Sequence, residues 1–285
     1  MELKVAVLIP AFEAQATIER TLLSIPDQPW IQIIVFDDGS QPALQINTSF
    51  QHAQLTLLRN PVNQGVASAM LQASQHLDEA VEYLIELDAD DQLVAGALEA
   101  MVALLDSNSE LDLAWGDLII RGQQDYLRRY GDYFDAWIIR IKNCISCSTL
   151  MRRSAWLKAG ANWGDQRLQY HDWFMWLSFA RIDAQGGHIG QPALIYNSSL
   201  GGLHLSRRDK AKERHALTLS AFSDLKPAAM LAGSAASWPL KVSLLLASMA
   251  PVGSFRRAKL QGAVLALLWS KDWVSFKGRL REVFS

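Results

Sequence analysis

The chain has 285 residues and a mass of 31.7 kDa, half of it apolar and a fifth charged, so it can bury a large core and is not a disordered polymer. Lys and Arg number 27 against 29 Asp and Glu, a net charge of −2; a dedicated nucleic-acid binder would carry a strong basic excess. Two cysteines, Cys144 and Cys147, are too few for a disulfide-built secreted scaffold.

The opening MELKVAVLIPAF passes from one lysine into a short apolar run with no small-residue cleavage site behind it. It is expected to be a first β-strand and not a signal peptide, in a cytoplasmic protein. Apolar runs at 5–9, 31–36, 55–58, 83–87 and 111–115 have the length of buried strands. Helix-period stretches lie between them. Residues 16–25 carry Ile18, Leu22 and Ile25 on one face, residues 65–77 carry Val66, Met70, Ala73 and Leu77, and residues 94–105 carry Leu98, Met101, Val102 and Leu105. This alternation predicts an α/β domain with a mostly parallel central sheet flanked by helices. Ligands of such sheets bind beyond the carboxyl ends of the strands, so chemistry is expected there.

Residues 116–225 are less regular. An apolar run over 144–151 leads to a helix-like stretch at 154–159 with a Gly160 stop, then to a Trp-rich helix over 172–181. Trp173 and Trp176 share a face of it with Leu177 and Ala180, which favours a core role over a sugar-stacking platform.

Charge is distributed unevenly. Residues 226–285 hold nine basic and two acidic side chains, a net +7, whereas residues 1–225 carry −9. This tail contains apolar stretches at 228–240, 242–255 and 260–270, interrupted by Pro239, Lys241, Pro251 and the Arg256–Arg257 pair. None reaches the roughly 18–20 uninterrupted residues that span a bilayer. Leu260, Ala263, Val264, Leu267 and Leu268 form a helical face beside Lys259, Lys271 and Lys277. Two readings stand: a helix in the membrane interface, or one packed on the preceding domain with a solvated basic side. The +7 tilts the expectation to peripheral membrane association.

Four strand ends carry polar groups: Pro10-Ala11-Phe12-Glu13, Asp37-Asp38-Gly39-Ser40, Asn60-Pro61-Val62-Asn63-Gln64-Gly65 and Asp88-Ala89-Asp90-Asp91. Each alone is explained by a turn, a cap or a helix dipole. Together they mean more. Crowding Asp88, Asp90 and Asp91 is costly unless a cation or strong donors offset the charge. Hard oxygen ligands of this kind suit Mn²⁺ or Mg²⁺ alongside substrate phosphates. A P-loop, a Gly-x-Gly-x-x-Gly dinucleotide loop and a calcium loop are all absent from the sequence. The lone Cys144-x-x-Cys147 lacks a second ligand pair and is expected to be two small buried residues.

As a set, VAVLIPAFEAQATIERTLLSI, IIVFDDGS, LLRNPVNQGVASAM, YLIELDADD, STLMRRSAWLKAG and YHDWFMWLSFAR resemble the family 2 glycosyltransferases of GT-A fold, in order over roughly residues 3–205. The resemblance implies a GT-A domain over 1–225, with a nucleotide-sugar-binding half (1–115), an acceptor-binding and catalytic half (116–225), and a helical tail (226–285) outside it. It assigns Asp38 to the nucleotide base, with Pro10, Ala11, Phe12 and Glu13 beside that base and Asn63 and Gly65 in the facing loop. Phe12 stands where Tyr is usual, and Met70 where Arg is frequent. Asp88, Ala89 and Asp90 match the Asp-x-Asp segment, with Asp90 the direct metal ligand and Asp88 its companion. Asp172 is the implied general base, with an N-cap of the Trp-rich helix as its structural alternative. His171 replaces the usual Glu, an exchange expected to make the site sensitive to pH near 6–7. His204 is a further metal or phosphate contact, and Arg207 or Arg208 pairs with diphosphate oxygens.

The implied function is an inverting, metal-dependent transfer from a nucleotide-diphosphate sugar, UDP-linked first and dTDP-linked (rhamnosyl-type) second. The acceptor is a saccharide or lipid-linked glycan at the inner membrane face, in cell-surface polysaccharide or lipopolysaccharide assembly; no nucleic-acid partner is expected. Two other classes stay open. A sugar nucleotidyltransferase would need a Gly-rich phosphate loop, which PAFEAQ lacks. A non-catalytic nucleotide-sugar-binding protein at a membrane would bind without turnover.

Overall fold

The structure is a computed structural model that describes residues 3–122, 124–143, 145–160, 163, 171–198, 220–225 and 234–247, with 260, 261, 263, 264, 267, 268 and 276. Alternating apolar positions build its sheet. β1 (Val5–Ala11), β2 (Ile31–Asp38), β3 (Gln54–Asn60) and β4 (Tyr83–Glu86) pair in parallel, in the order β3-β2-β1-β4. On β1, Val5, Val7 and Ile9 face one way, against Ile18 and Leu22 of α1 (Ile18–Leu22) and Leu98, Met101 and Leu105 of α3 (Ala97–Ser107). Ala6 and Leu8 face the other, against Met70 and Ala73 of α2 (Val66–Ser74) and Trp176 of α6 (His171–Arg181). Both faces are therefore dry, as a parallel sheet requires.

The second half extends the same sheet. β5 (Gln92–Leu93) lies at the far edge, β6 (Leu113–Arg121) carries the short β7 (Tyr126–Arg128), and β8 (Leu150–Arg152) joins β4 to β6 in antiparallel fashion. β9 (Gly186–Asn197) runs parallel to β6 and antiparallel to β5. Between them stand α4 (Ala136–Ile141) and α5 (Arg153–Lys158). The apolar run over 144–151 does not form one strand. Ser146, Ser148 and Thr149 turn the backbone instead, with Ser148 N donating to Ser146 Oγ and Thr149 Oγ1 to Ser146 O, so β8 begins only at Leu150.

The tail contributes α7 (Trp238–Ala247), which runs across both Pro239 and Lys241, two of the expected interruptions. Pro239 falls in the first turn, where the missing N–H has no helical partner to lose. Leu240 and Leu244 are buried with Ala236 against Trp137 and Ile138 of α4. The entry to α7 is pinned as well. Ser234 Oγ donates to Asp135 Oδ2 at 2.7 Å while Asp135 Oδ1 caps α4 through Ile138 N at 3.0 Å. The described tail is thus packed on the domain before it along one face, and no helix among the described residues is long and apolar enough to cross a membrane.

Leu244→Ala removes a fully buried side chain from that contact and is expected to cost about 2–4 kcal/mol in urea unfolding. Trp238→Ser, at a side chain 75% exposed, is expected to stay within about 0.5 kcal/mol of the parent.

Candidate active site

β1 lies between β2 and β4, so the loops that follow these three strands open at one edge of the sheet. The two aspartates ending β2 have separate tasks. Asp37 accepts from Ser40 N at 2.9 Å, Leu44 N at 3.1 Å and Arg59 Nε at 2.9 Å, which folds the turn after the strand. Burial pushes its carboxyl up, but these donors outweigh burial and hold it below the usual carboxylate range. Asp38 accepts from Asn60 Nδ2 at 2.9 Å, from Gln64 N at 3.0 and 3.1 Å and from Gly65 N at 2.7 Å. Its oxygens are committed to the loop that opens α2, and that loop includes Asn63, whose Oδ1 also accepts from Gly65 N. Gly39 is obligatory directly after the two aspartates. Its φ is +84°, and a Cβ there would lie 2.6 Å from Asn63 N.

The loop after β1 faces this turn. Glu13, at φ +52°, receives Gln41 N on its carboxylate at 2.8 Å and donates its own N–H to Ser40 Oγ at 2.9 Å. Pro10 is half-buried and Ala11 buried, while the Phe12 ring is 53% exposed over the opening. Met70, by contrast, is fully buried in the core beside Leu8 and Phe36. An apolar residue there serves packing and reaches no ligand.

Carboxylates crowd the end of β4. One oxygen each of Asp88, Asp90 and Asp91 lies within 4.8 Å of the others. Ala89 O accepts from Thr21 Oγ1 at 2.9 Å, and Asp90 O from Arg20 Nη2 at 3.2 Å and Asn197 Nδ2 at 2.7 Å, so side chains from α1 and β9 hold the backbone of this turn. Asp91 Oδ1 accepts from Asn197 N at 3.0 Å, but its buried Oδ2 has no partner among the described residues. Burial raises all three carboxyls, and mutual repulsion raises Asp88 and Asp91 further. Three oxygen donors, one of them orphaned, fit a hard divalent cation.

Across this cluster stands the first turn of α6. Asp172 Oδ2 accepts from Asn143 Nδ2 at 2.6 Å and Oδ1 from Trp173 N at 2.8 Å, so the side chain lies within the first turn and does not cap the helix. Cys147 joins the two sides. Its thiol donates to Asp88 Oδ2 at 3.9 Å and is pushed well up by burial and by the charges of Asp88, Glu86, Asp172 and Asp91. A thiol so raised is a poor nucleophile; Cys147 is half-buried, and Cys144 lies outside the described residues. The aspartates of β4 and the aspartate of α6 therefore share one site.

His171 behaves differently from expectation. Its Nε2 is 2.6 Å from Glu86 Oε1. Burial pushes the imidazole down, but Glu86, with Asp172 and Asp88 behind it, brings it up to about 9. The ring stays charged through pH 6–7, so the expected titration in that window is absent. Trp173 and Trp176 are buried in the core and form no sugar platform. His204, Arg207 and Arg208 lie outside the described residues. Glu86, Asn143, Arg20 and Asn197 were not visible as site residues in the sequence. Only Glu86, two places before Asp88, had a local signal.

A strand-end carboxylate cluster opposite a helix-borne aspartate, in a sheet of this order, is the arrangement that the resemblance to family 2 glycosyltransferases of GT-A fold implies. The profile for Glycosyl transferase family 2 matches residues 6–173, and the chain belongs to that family. Among solved structures it is similar to S. aureus TarS 1–349 in complex with UDP-GlcNAc, with a TM-score of 0.63 and 13% identity over 99% of this chain and 84% of that one. The same TarS fragment in complex with UDP gives a TM-score of 0.63 and 14% identity, covering 99% and 88%. No curated protein matches the sequence. Family membership removes the nucleotidyltransferase and the non-catalytic binding protein as alternatives.

The raised carboxyls give a pH signature. A carboxyl with a higher pKa folded than unfolded holds its proton better in the fold, so the stability it contributes is lost as pH rises. The metal-free protein is therefore expected to melt at progressively lower temperature between about pH 4, the unfolded value, and about 8, where Asp91 titrates. Mn²⁺ competes with those protons, so its affinity, measured by calorimetry, is expected to rise over the upper half of that window.

Proposed function

We propose that the chain is an inverting transferase that moves a sugar from a UDP-sugar to a hydroxyl of a saccharide or lipid-linked glycan. The observation that carries this reading is the shared site in which Asp88, Asp90 and Asp91 meet Asp172 around Cys147. Phe12 offers its exposed ring to the nucleotide base, beside the loop that Asp38 shapes through Gln64 and Gly65. Pro10, Ala11, Glu13 and Asn63 complete that wall. Asp90 and Asp88 would hold Mn²⁺ or Mg²⁺, with Asp91 behind them. The cation supplies Lewis-acid stabilisation of the charge that gathers on the departing diphosphate.

Asp172 is the base. Held by Asn143 and Trp173 N, its carboxylate accepts the acceptor's hydroxyl proton while that oxygen bonds the anomeric carbon. The bond from that carbon to the β-phosphate oxygen breaks, and its electron pair leaves with UDP. Attack from the side opposite the leaving group inverts the centre, with no protein nucleophile. UDP is favoured because the similar TarS structures hold UDP-GlcNAc and UDP. His204 is proposed as a metal or phosphate contact and Arg207 as a partner of the diphosphate oxygens.

The tail bears on where the acceptor lies. Trp238, Leu245 and Leu246 are exposed on the face of α7 opposite Leu240 and Leu244, in a segment of net charge +7. An apolar outer face in a segment rich in basic residues suits an anionic bilayer surface, and this supports the reading of an enzyme working at the inner membrane face in cell-surface glycan assembly.

Asp172→Asn is expected to lower kcat by about 10²–10⁴-fold with UDP affinity unchanged, whereas Asp90→Ala abolishes Mn²⁺-dependent UDP binding in calorimetry. Retained turnover in chelator, or tighter binding of dTDP than UDP, overturns the metal or the base assignment. In sedimentation the protein is expected to bind vesicles containing phosphatidylglycerol, to release them in high salt and to ignore neutral phosphatidylcholine. Trp238→Ser should weaken that binding; equal binding to both vesicles removes the membrane reading.

A further inference from the structure

Glu86 and His171 lie just outside the groups assigned to the reaction. Glu86 is the last residue of β4, two places before Asp88, and His171 is the first of α6, one place before Asp172. Their side chains are 97% and 86% buried and meet at 2.6 Å. The second oxygen of Glu86 accepts from Trp163 Nε1 at 3.1 Å, so both of its oxygens are bound. On the imidazole, the contact to Glu86 is the single hydrogen bond among the described residues, because Nδ1 is buried without a partner. Trp163 is itself packed against Trp156, with ring centroids 5.3 Å apart.

We propose that Glu86 and His171 are positioning residues that form a buried brace, fixing the Asp172-bearing turn of α6 against the strand end that carries the donor-side carboxylates. The two partners are not equivalent. β4 is hydrogen-bonded on both sides, to β1 and to β8, and is the fixed member. The first turn of α6 is tied on one side by Asn143 and the Ile139 carbonyl, and the brace ties it to β4 on the other. What the brace requires is a hydrogen-bond donor facing an acceptor, and not two carboxylates. A Glu at position 171, which the family resemblance gives as usual, would set two buried carboxylates against each other here. The identity of residue 171 is therefore matched to Glu86 in this chain. Loss of the brace displaces the base relative to the donor and leaves the donor site in place, so it acts on kcat.

The inference rests on Asp172 as the base, and its test uses the full chain with Mn²⁺ and its donor. His171→Glu is expected to lower kcat by about 10–100-fold while donor KM and UDP affinity stay within about threefold. In the double variant Glu86→Gln/His171→Glu an amide faces a carboxylate, and kcat is expected to return to within about threefold of the parent. His171→Gln, neutral and able to donate, serves if the charge-reversed variant does not fold; it should lose kcat several-fold at constant KM. Native kcat in the folded single variants, equal losses of kcat and donor affinity, or a double variant no better than His171→Glu overturns the brace. If Asp172→Asn retains full turnover the base assignment fails; if Asp172→Asn is inactive and the position-171 variants are not impaired, the brace alone fails.

Discussion

The constraint on which the molecule turns is negative charge held at the end of a buried strand. Glu86 ends β4, whose four residues are all buried, and Asp88 and Asp91 follow it; desolvation together with the neighbouring carboxylates opposes ionisation of the two aspartates. The fold answers with donors from distant segments. Asn197 at the end of β9 reaches Asp91 and the Asp90 carbonyl, Arg20 on α1 reaches the same carbonyl, and His171 at the start of α6 answers Glu86. None of these neutralises Asp88 and Asp91 completely, and the orphaned oxygen of Asp91 marks what is left over. A site tuned only for stability would replace these carboxylates with apolar groups. Keeping them leaves a cluster of oxygen donors of the kind a hard divalent cation requires.

Sheet order turns that local stress into an active site. With β1 in the middle, the Asp37–Ser40 turn and the Asp88–Asp91 turn fall on either side of the Pro10–Glu13 loop. The loops are tied across chain distance by backbone contacts: Glu13 to Ser40 and Gln41, and Gly39 against Val62 and Asn63 with no room for a side chain. Rigidity on the nucleotide side thus comes from short loops locked to one another. The second half of the sheet is bound in differently, through β8, which meets β4 and β6 over only two residue pairs each.

What the sequence discloses divides along the same line. Strands β1 to β4 and the helices between them were legible because each buries a regular apolar period, and the aspartates were legible because they follow the strand ends. β9 was not expected: Gly186, Gly187, Gly190 and Pro192 break the alternation, and its pairing with β6 shifts register between Trp115 and Leu118. The apolar run before β8 misled because three hydroxyl residues within it bend the backbone. In the site, Asn143 meets Asp172 across 29 positions and Glu86 meets His171 across 85. Pairings of that reach leave no local pattern. They also reverse the expected behaviour of His171, since an imidazole facing a buried carboxylate is set by its partner and not by its ordinary pKa.

α4 joins the two parts of the chain that sequence analysis had kept separate. Its Trp137 and Ile138 receive Leu240 and Leu244 of the tail, and its Ile139 carbonyl accepts Trp173 Nε1 from α6 at 2.7 Å. Two residues past its end, Asn143 holds Asp172. One six-residue helix therefore has the tail on one side and the first turn of α6 on the other. A helix that short has little stability of its own, so its position is set by what packs on it. The tail is thereby part of the wall that supports Asp172, and the residues outside the family resemblance contribute to the geometry of the residues within it.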